Sequence, residues 1–297
     1  MIQNDVAIIE NNEMNEVLLP NSKIKKLASG FGFIEGPVWD KEKDILYFSD
    51  IPNNKQLIWS EKYGLSLFRE PSNKSNGCFL NKDNFLIVCE HATSRIVAIN
   101  RNREVEVLAS HYKGNELNSP NDVICSKNGT IIFTDPVFGR KDFFGIARDQ
   151  VLNFQGVYEL NIQNKVLKVL VDDFEQPNGL CLSPDEKKLY INDTVKKHVR
   201  VFKYDNGKLL DGKIFAKIEG PGEGVPDGLK CDNRGRVYCT GPGGIHVYNE
   251  EGIKLGVIKV PEKTANFNWK NDSNLLYITA STSLYSIEIN VKGITQN

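Results

Sequence analysis

Little in this chain points toward a large charged partner or a membrane. Its 37 basic and 38 acidic residues leave a formal charge of −1, so no field of one sign is available to hold a polyanion such as nucleic acid. From Met1 to Gly30 no apolar run reaches the length of a signal peptide or a membrane span, and Asp5, Glu10, Glu13 and Glu16 interrupt the stretch. A cytoplasmic protein with a small-molecule partner, no nucleic acid and no membrane is expected. The six cysteines, Cys78, Cys89, Cys125, Cys181, Cys231 and Cys239, include no Cys-x-x-Cys pair. Buried free thiols are therefore expected rather than zinc or disulfide chemistry. No Gly-x-Ser-x-Gly elbow is present, which argues against serine-based hydrolysis. Helical periodicity is nowhere sustained over a long segment.

What the chain does have is paired strand signals, six times over. The first members are Ile45–Asp50, Phe85–Glu90, Thr130–Asp135, Leu189–Asp193, Arg236–Thr240 and Leu275–Ala280, each rich in β-branched or aromatic residues. Their partners are Gln56–Ser60, Ile96–Asn100, Val157–Asn161, Val199–Tyr204, Ile245–Tyr248 and Leu284–Ile289. Asn128-Gly129, Asn206-Gly207 and Asn233-Arg234-Gly235 supply the positive φ angles of tight hairpins. Between Phe138 and Gln155 an insertion breaks the rhythm and is expected to form a loop over a channel mouth.

Ahead of each pair stands a short polar turn: Glu35-Gly36-Pro37, Asn76-Gly77, Asn121-Asp122, Asn178-Gly179, Asp227-Gly228 and Asn266-Phe267. The steps between their first residues are 41, 45, 57, 49 and 39, the period of a four-stranded propeller blade. The fold expected is all-β, a six-bladed β-propeller with four-stranded blades around a central channel. It is read as a single domain over residues 1–297, with 1–20 an N-terminal extension open to disorder. Ile24–Leu27 is expected to supply the outer strand of the last blade and so close the ring.

If each blade begins at the channel, the oxygens of Glu35, Asn121, Asn178 and Asp227 converge on one axis. Two carboxylates and two amides facing one another are destabilising unless a cation neutralises them. An all-oxygen set favours Ca2+, with Mg2+, Mn2+ or Zn2+ as substitutes. Pro120-Asn121, Pro177-Asn178 and Pro226-Asp227 form a matched set in which the proline fixes the local chain direction.

Six segments then carry a family resemblance: Glu35-Gly36-Pro37-Val38-Trp39, Ser119-Pro120-Asn121-Asp122-Val123, Phe133-Thr134-Asp135-Pro136, Pro177-Asn178-Gly179-Leu180, Pro226-Asp227-Gly228-Leu229 and Thr240-Gly241-Pro242-Gly243-Gly244. In this order, from about Gly30 to Ile289, they resemble the gluconolactonase branch of the senescence marker protein (regucalcin) and gluconolactonase family. The resemblance implies a propeller with one catalytic calcium and lactone ring opening as the activity. It implies Glu35, Asn178 and Asp227 as direct metal ligands, and Asn121 as a further ligand or a substrate-contacting amide. Asp227 takes the position of the acid-base carboxylate, with direct nucleophilic attack as its rival role. His91 resembles a channel-facing histidine that bonds a sugar hydroxyl. Asp50, Asp135 and Asp193 end the first strands of blades one, three and four, where they are placed to orient metal ligands from behind. Ser119 stands where the animal members carry arginine, so sugar recognition is expected to differ from theirs.

A calcium-dependent hydrolase opening a sugar lactone is the leading expectation. The alternatives are a phosphotriesterase-like hydrolase on the same metal site and a non-catalytic, calcium-stabilised binding propeller. The substrate's ring size and the choice between monomer and dimer stay open.

Overall fold

The computed structural model describes residues 2–3, 5–205, 207–271 and 273–294. Six four-stranded antiparallel units succeed one another along the chain, as the six strand pairs lead one to expect. Asn206 of the Asn206-Gly207 turn lies outside the described residues, while Gly129, Gly207 and Gly235 have the positive φ that their hairpins require.

Sequence reading placed the strand pairs correctly but misnumbered them, because each pair forms the second and third strands of its blade. An inner strand precedes each one: Ile34–Asp40, Ser75–Leu80, Val123–Cys125, Pro177–Leu182, Leu229–Cys231 and Thr264–Trp269. Four of the polar segments read as turns, Glu35-Gly36-Pro37, Asn76-Gly77, Asn178-Gly179 and Asn266-Phe267, lie inside these inner strands at or beside breaks in the ladder. In blade one Glu35 faces Ser49 and Val38 faces Tyr47, so Gly36 and Pro37 bulge out of register. The same shift occurs between Ser75 and Cys78 and between Pro177 and Leu180. Glu, Gly, Pro and Asn are poor strand formers, which is why these strands escape detection by propensity.

The expected closure of the ring is present. Lys25–Ser29 pairs with Ser283–Glu288 as the outer strand of blade six, Ser29 opposite Ser283 and Ala28 opposite Leu284. Glu262 reinforces the joint, accepting hydrogen bonds from Thr282 N at 3.0 Å, Ser283 Oγ at 2.6 Å and Tyr285 Oη at 2.7 Å, and pairing with Lys26 at 3.3 Å. Ala7–Ile9 adds a further strand to blade five by pairing with Lys254–Lys259, and Ala7, Met14 and Val17 are buried.

The apolar core lies between the blades. Trp39 of blade one stacks on Tyr277 of blade six at 5.4 Å, and Tyr238 of blade five meets Trp269 of blade six edge-on at 5.2 Å. All six thiols are free, five of them buried. Among the described residues no helix is long and apolar enough to cross a membrane.

Candidate active site

The inner strands nest against one another around the axis because glycine follows the site residue in four of them. A Cβ on Gly36 would lie 2.1 Å from Asn76 O, and one on Gly77 2.5 Å from Asn121 O. On Gly179 it would lie 2.0 Å from Asp227 O, and on Gly228 2.3 Å from Asn266 Oδ1. Close approach to the next blade is what these positions need; of the four, only Gly36 also has positive φ, at 59°. Each Asx-Gly or Glu-Gly step thereby sets its acidic or amide side chain beside the corresponding one of the following blade.

A cavity of about 450 Å³ opens at this end of the channel. Glu35, Asn121, Asn178, Asp227 and His91, which reach it from blades one to five, all line it, together with Asn76, Thr194 and Lys263. Phe33, Ile51, Phe138, Phe144 and Val225 complete the wall. Phe138 and Phe144 belong to the insertion between the second and third strands of blade three, which packs over the mouth as expected. Gly139 lies so close to His91 that a Cβ would meet the ring at 2.6 Å. Arg140 and Arg148 clamp the insertion to Glu116, at 2.8 Å and 3.4 Å.

Glu35 is 3% exposed. Its Oε2 accepts hydrogen bonds from Gly36 N and, at 2.9 Å, from Asn266 Nδ2, whereas Oε1 is buried with no partner. Burial and the charge of Asp122 push this carboxyl up to about 7. Burial and the charge of Glu35 likewise raise Asp227 well above the usual carboxylate range, against the pull of the Lys263 ammonium. Asp122 lies in an ion pair with Lys230 at 3.6 Å. Asn178 donates to Thr194 Oγ1 at 3.1 Å, and Asn121 is pinned through its backbone, its N–H to Thr134 O and its carbonyl accepting from Gly77, both at 2.8 Å.

Asp50, Asp135 and Asp193 stay out of the cavity and grip the chain just before a site residue. Asp50 accepts from Gly32 N and Phe33 N at 3.1 and 3.3 Å, and Asp135 from Asn118 N and Ser119 N, both at 2.8 Å. Asp193 accepts from Glu175 N and Gln176 N at 2.8 and 3.3 Å. In each case the bonded amides lie two to three residues ahead of Glu35, Asn121 or Asn178. His91 has both ring nitrogens engaged by the protein, Nδ1 with Phe144 O at 3.0 Å and Nε2 with Asn76 Nδ2 at 3.1 Å.

Sequence reasoning gave no role to Asn76, Lys263, Asn266 or the aromatic wall. Asn76 and Asn266 carried a usable signal, since they occupy the second and sixth places of the same repeat. Lys263 and the phenylalanines fit no periodic pattern.

The model of the SMP-30/gluconolactonase/LRE-like region matches residues 33–282. The chain belongs to this family. Within it, the chain is 29% identical to a gluconolactonase of Zymomonas mobilis, over 94% of this chain and 85% of that one. It is 27% identical to an L-arabinolactonase of Azospirillum brasilense, over 83% and 80%. Among solved structures, a gluconolactonase of Xanthomonas campestris superposes with a TM-score of 0.90 at 29% identity, covering 97% of this chain and 96% of its own.

Among the described residues no group of three or more His, Cys, Asp or Glu is placed to hold a metal. The cavity instead offers two carboxylates, Glu35 and Asp227, and three amides, Asn76, Asn121 and Asn178. An unpartnered, buried Glu35 Oε1 beside a second raised carboxyl is the chemistry of a site for a hard cation, so the residues present fit such an ion.

Proposed function

We propose that this chain hydrolyses a sugar lactone, with a divalent cation, calcium in the first instance, held by Glu35, Asn121, Asn178 and Asp227. The observation that carries this function is the buried Glu35 beside the half-buried Asp227, a pair in which Glu35 Oε1 lacks any partner. Two such groups are destabilising when both are charged, and positive charge between them relieves the cost. The family relatives named as lactonases support the reaction class. Bound there, the ion would act as a Lewis acid on an ester carbonyl.

The chain's own residues do the rest. Asp227 is placed to take the proton of the attacking water as the water oxygen bonds the acyl carbon, and to return it to the ring oxygen as the C–O bond breaks. The product is the open hydroxy acid. Lys263, on the same wall, offers its ammonium to the negative charge that builds on the substrate. Phe33, Phe138 and Phe144 line the entrance and restrict bulk water, which strengthens these electrostatic contacts.

The test is lactone hydrolysis followed by acid release, before and after chelation and after restoring calcium, in the wild type and in Asp227→Asn. Chelation should abolish turnover reversibly. Asp227→Asn should cost about 10²- to 10⁴-fold, the usual range for a lost acid-base group. Undiminished rates under both treatments would reject this function. A single turnover in ¹⁸O-labelled water separates base from nucleophile, because only covalent attack by Asp227 routes enzyme oxygen into the product.

A further inference from the structure

Hydrogen bonds around His91 determine how a neighbouring amide points. His91 Nδ1 lies 3.0 Å from the Phe144 carbonyl oxygen. A carbonyl can only accept, so Nδ1 carries the proton. The ring is 1% exposed, and its burial drives the pKa down to about 4, which keeps it neutral and leaves Nε2 as an acceptor. The partner of Nε2 is Asn76 Nδ2, at 3.1 Å. Only the NH2 end of that amide can satisfy an acceptor, so the orientation of Asn76 is fixed. Its Oδ1 is turned away from the ring, is buried, and has no partner in the protein.

Asn76 is 4% exposed and lines the same cavity as Glu35 and Asp227. A buried acceptor left unpaired weakens a fold, and locking it in that pose is unfavourable unless a donor arrives. The two orphan oxygens of the cavity differ in kind. Glu35 Oε1 is carboxylate oxygen beside another carboxyl and calls for a cation. Asn76 Oδ1 belongs to an amide outside the four residues proposed to hold the cation, and, its NH2 being tied to the imidazole, it is available to accept from an O–H donor. No donor among the described residues reaches it, so it is free to accept from a ligand that enters the cavity.

We propose that Asn76 Oδ1 accepts a hydrogen bond from a hydroxyl of the bound substrate, and that His91 is a positioning residue that holds the Asn76 amide in the accepting orientation. The identity of the substrate as a lactone rests on the function proposed above, and the contact narrows it to lactones bearing a ring or side-arm hydroxyl.

The experiment compares kcat/KM for glucono-1,5-lactone and for δ-valerolactone, which has no hydroxyls, in the wild type, Asn76→Leu, His91→Leu and His91→Gln. Asn76→Leu is expected to lose about ten- to hundredfold on the hydroxylated lactone and several-fold less on the bare one, so the selectivity ratio collapses. Asn76→Ala carries the same comparison if the leucine variant does not fold. His91→Leu moves the ratio in the same direction by less, and His91→Gln, which can still accept from Asn76, recovers part of it. Equal losses on both lactones, or no loss on either, overturn the proposal.

Binding of glucono-1,5-lactam, which keeps the hydroxyls and lacks the ester, is measured in parallel by calorimetry. If the wild type binds the lactam yet opens neither lactone, the lactonase function fails. The hydroxyl contact then survives if Asn76→Leu weakens lactam binding and fails if it does not. No lactam binding by the wild type also overturns the contact.

Discussion

Removing the charge of Glu35 should stabilise the chelated protein at neutral pH and leave it nearly unchanged in mild acid. Burial and the charge of Asp122 raise this carboxyl from an ordinary value near 4.5 to about 7. Between those two pH values the folded protein binds a proton that the unfolded chain has released. Stability from this group is therefore fully present below about pH 4.5 and is lost as pH rises through about 7. At about 1.36 kcal/mol for each pH unit, the loss is about 3 kcal/mol. Glu35→Gln cannot undergo it, so the advantage of the variant over the wild type should grow by that amount between pH 4.5 and 8. For a chain of this size that corresponds to roughly 6 °C in melting midpoint.

Asp135, which burial also raises to about 7, gives both proteins the same slope and cancels in the difference, whereas Asp227, which the charge of Glu35 helps to raise, is lowered in the variant and widens its advantage in the same direction. Thermal melts in chelator at several pH values provide the assay. With excess calcium the wild-type deficit should vanish, because a cation beside Glu35 favours its ionised form. Parallel wild-type and Glu35→Gln curves across pH 4.5–8 in chelator would refute the electrostatic account of the site.

Other outcomes follow from single contacts. Asn266→Ala removes the 2.9 Å hydrogen bond that aims Glu35, so calcium affinity measured by calorimetry should fall about 10- to 100-fold. Gly36→Ala would drive a Cβ to 2.1 Å from the Asn76 carbonyl at a φ of 59°. A loss of more than about 3 kcal/mol is expected by urea unfolding. Burial alone would raise Glu262, yet hydrogen bonds from Ser283, Tyr285 and Thr282 bring it down to about 2. Its contribution is thus present above about pH 4.5 and lost as pH falls toward 2, so Glu262→Ala should cost about 1 to 2 kcal/mol at pH 7, less than the full shift because solvent screens a partly exposed carboxylate. The deficit should shrink in acid melts.

The sequence alone determined the number of blades and the second and third strands of each, because these strands obey simple rules. They are apolar, β-branched and bounded by turn residues, and those features are local. The latch strand was legible for the same reason. The positions of Glu35, Asn121, Asn178 and Asp227 were marked by a repeat that survives without any contact information.

Only the tertiary structure decided what those positions are. Propensity reads Asx-Gly as a turn, since the cause of the glycine is the close approach of the next blade, 38 to 48 residues away in sequence. Nor does anything near His91 in the chain reveal that Phe144 and Asn76 occupy its two nitrogens. The raised carboxyls of Glu35 and Asp227 belong to the same class. Burial and the approach of like charges are properties of the closed ring, and they do not exist until distant inner strands meet.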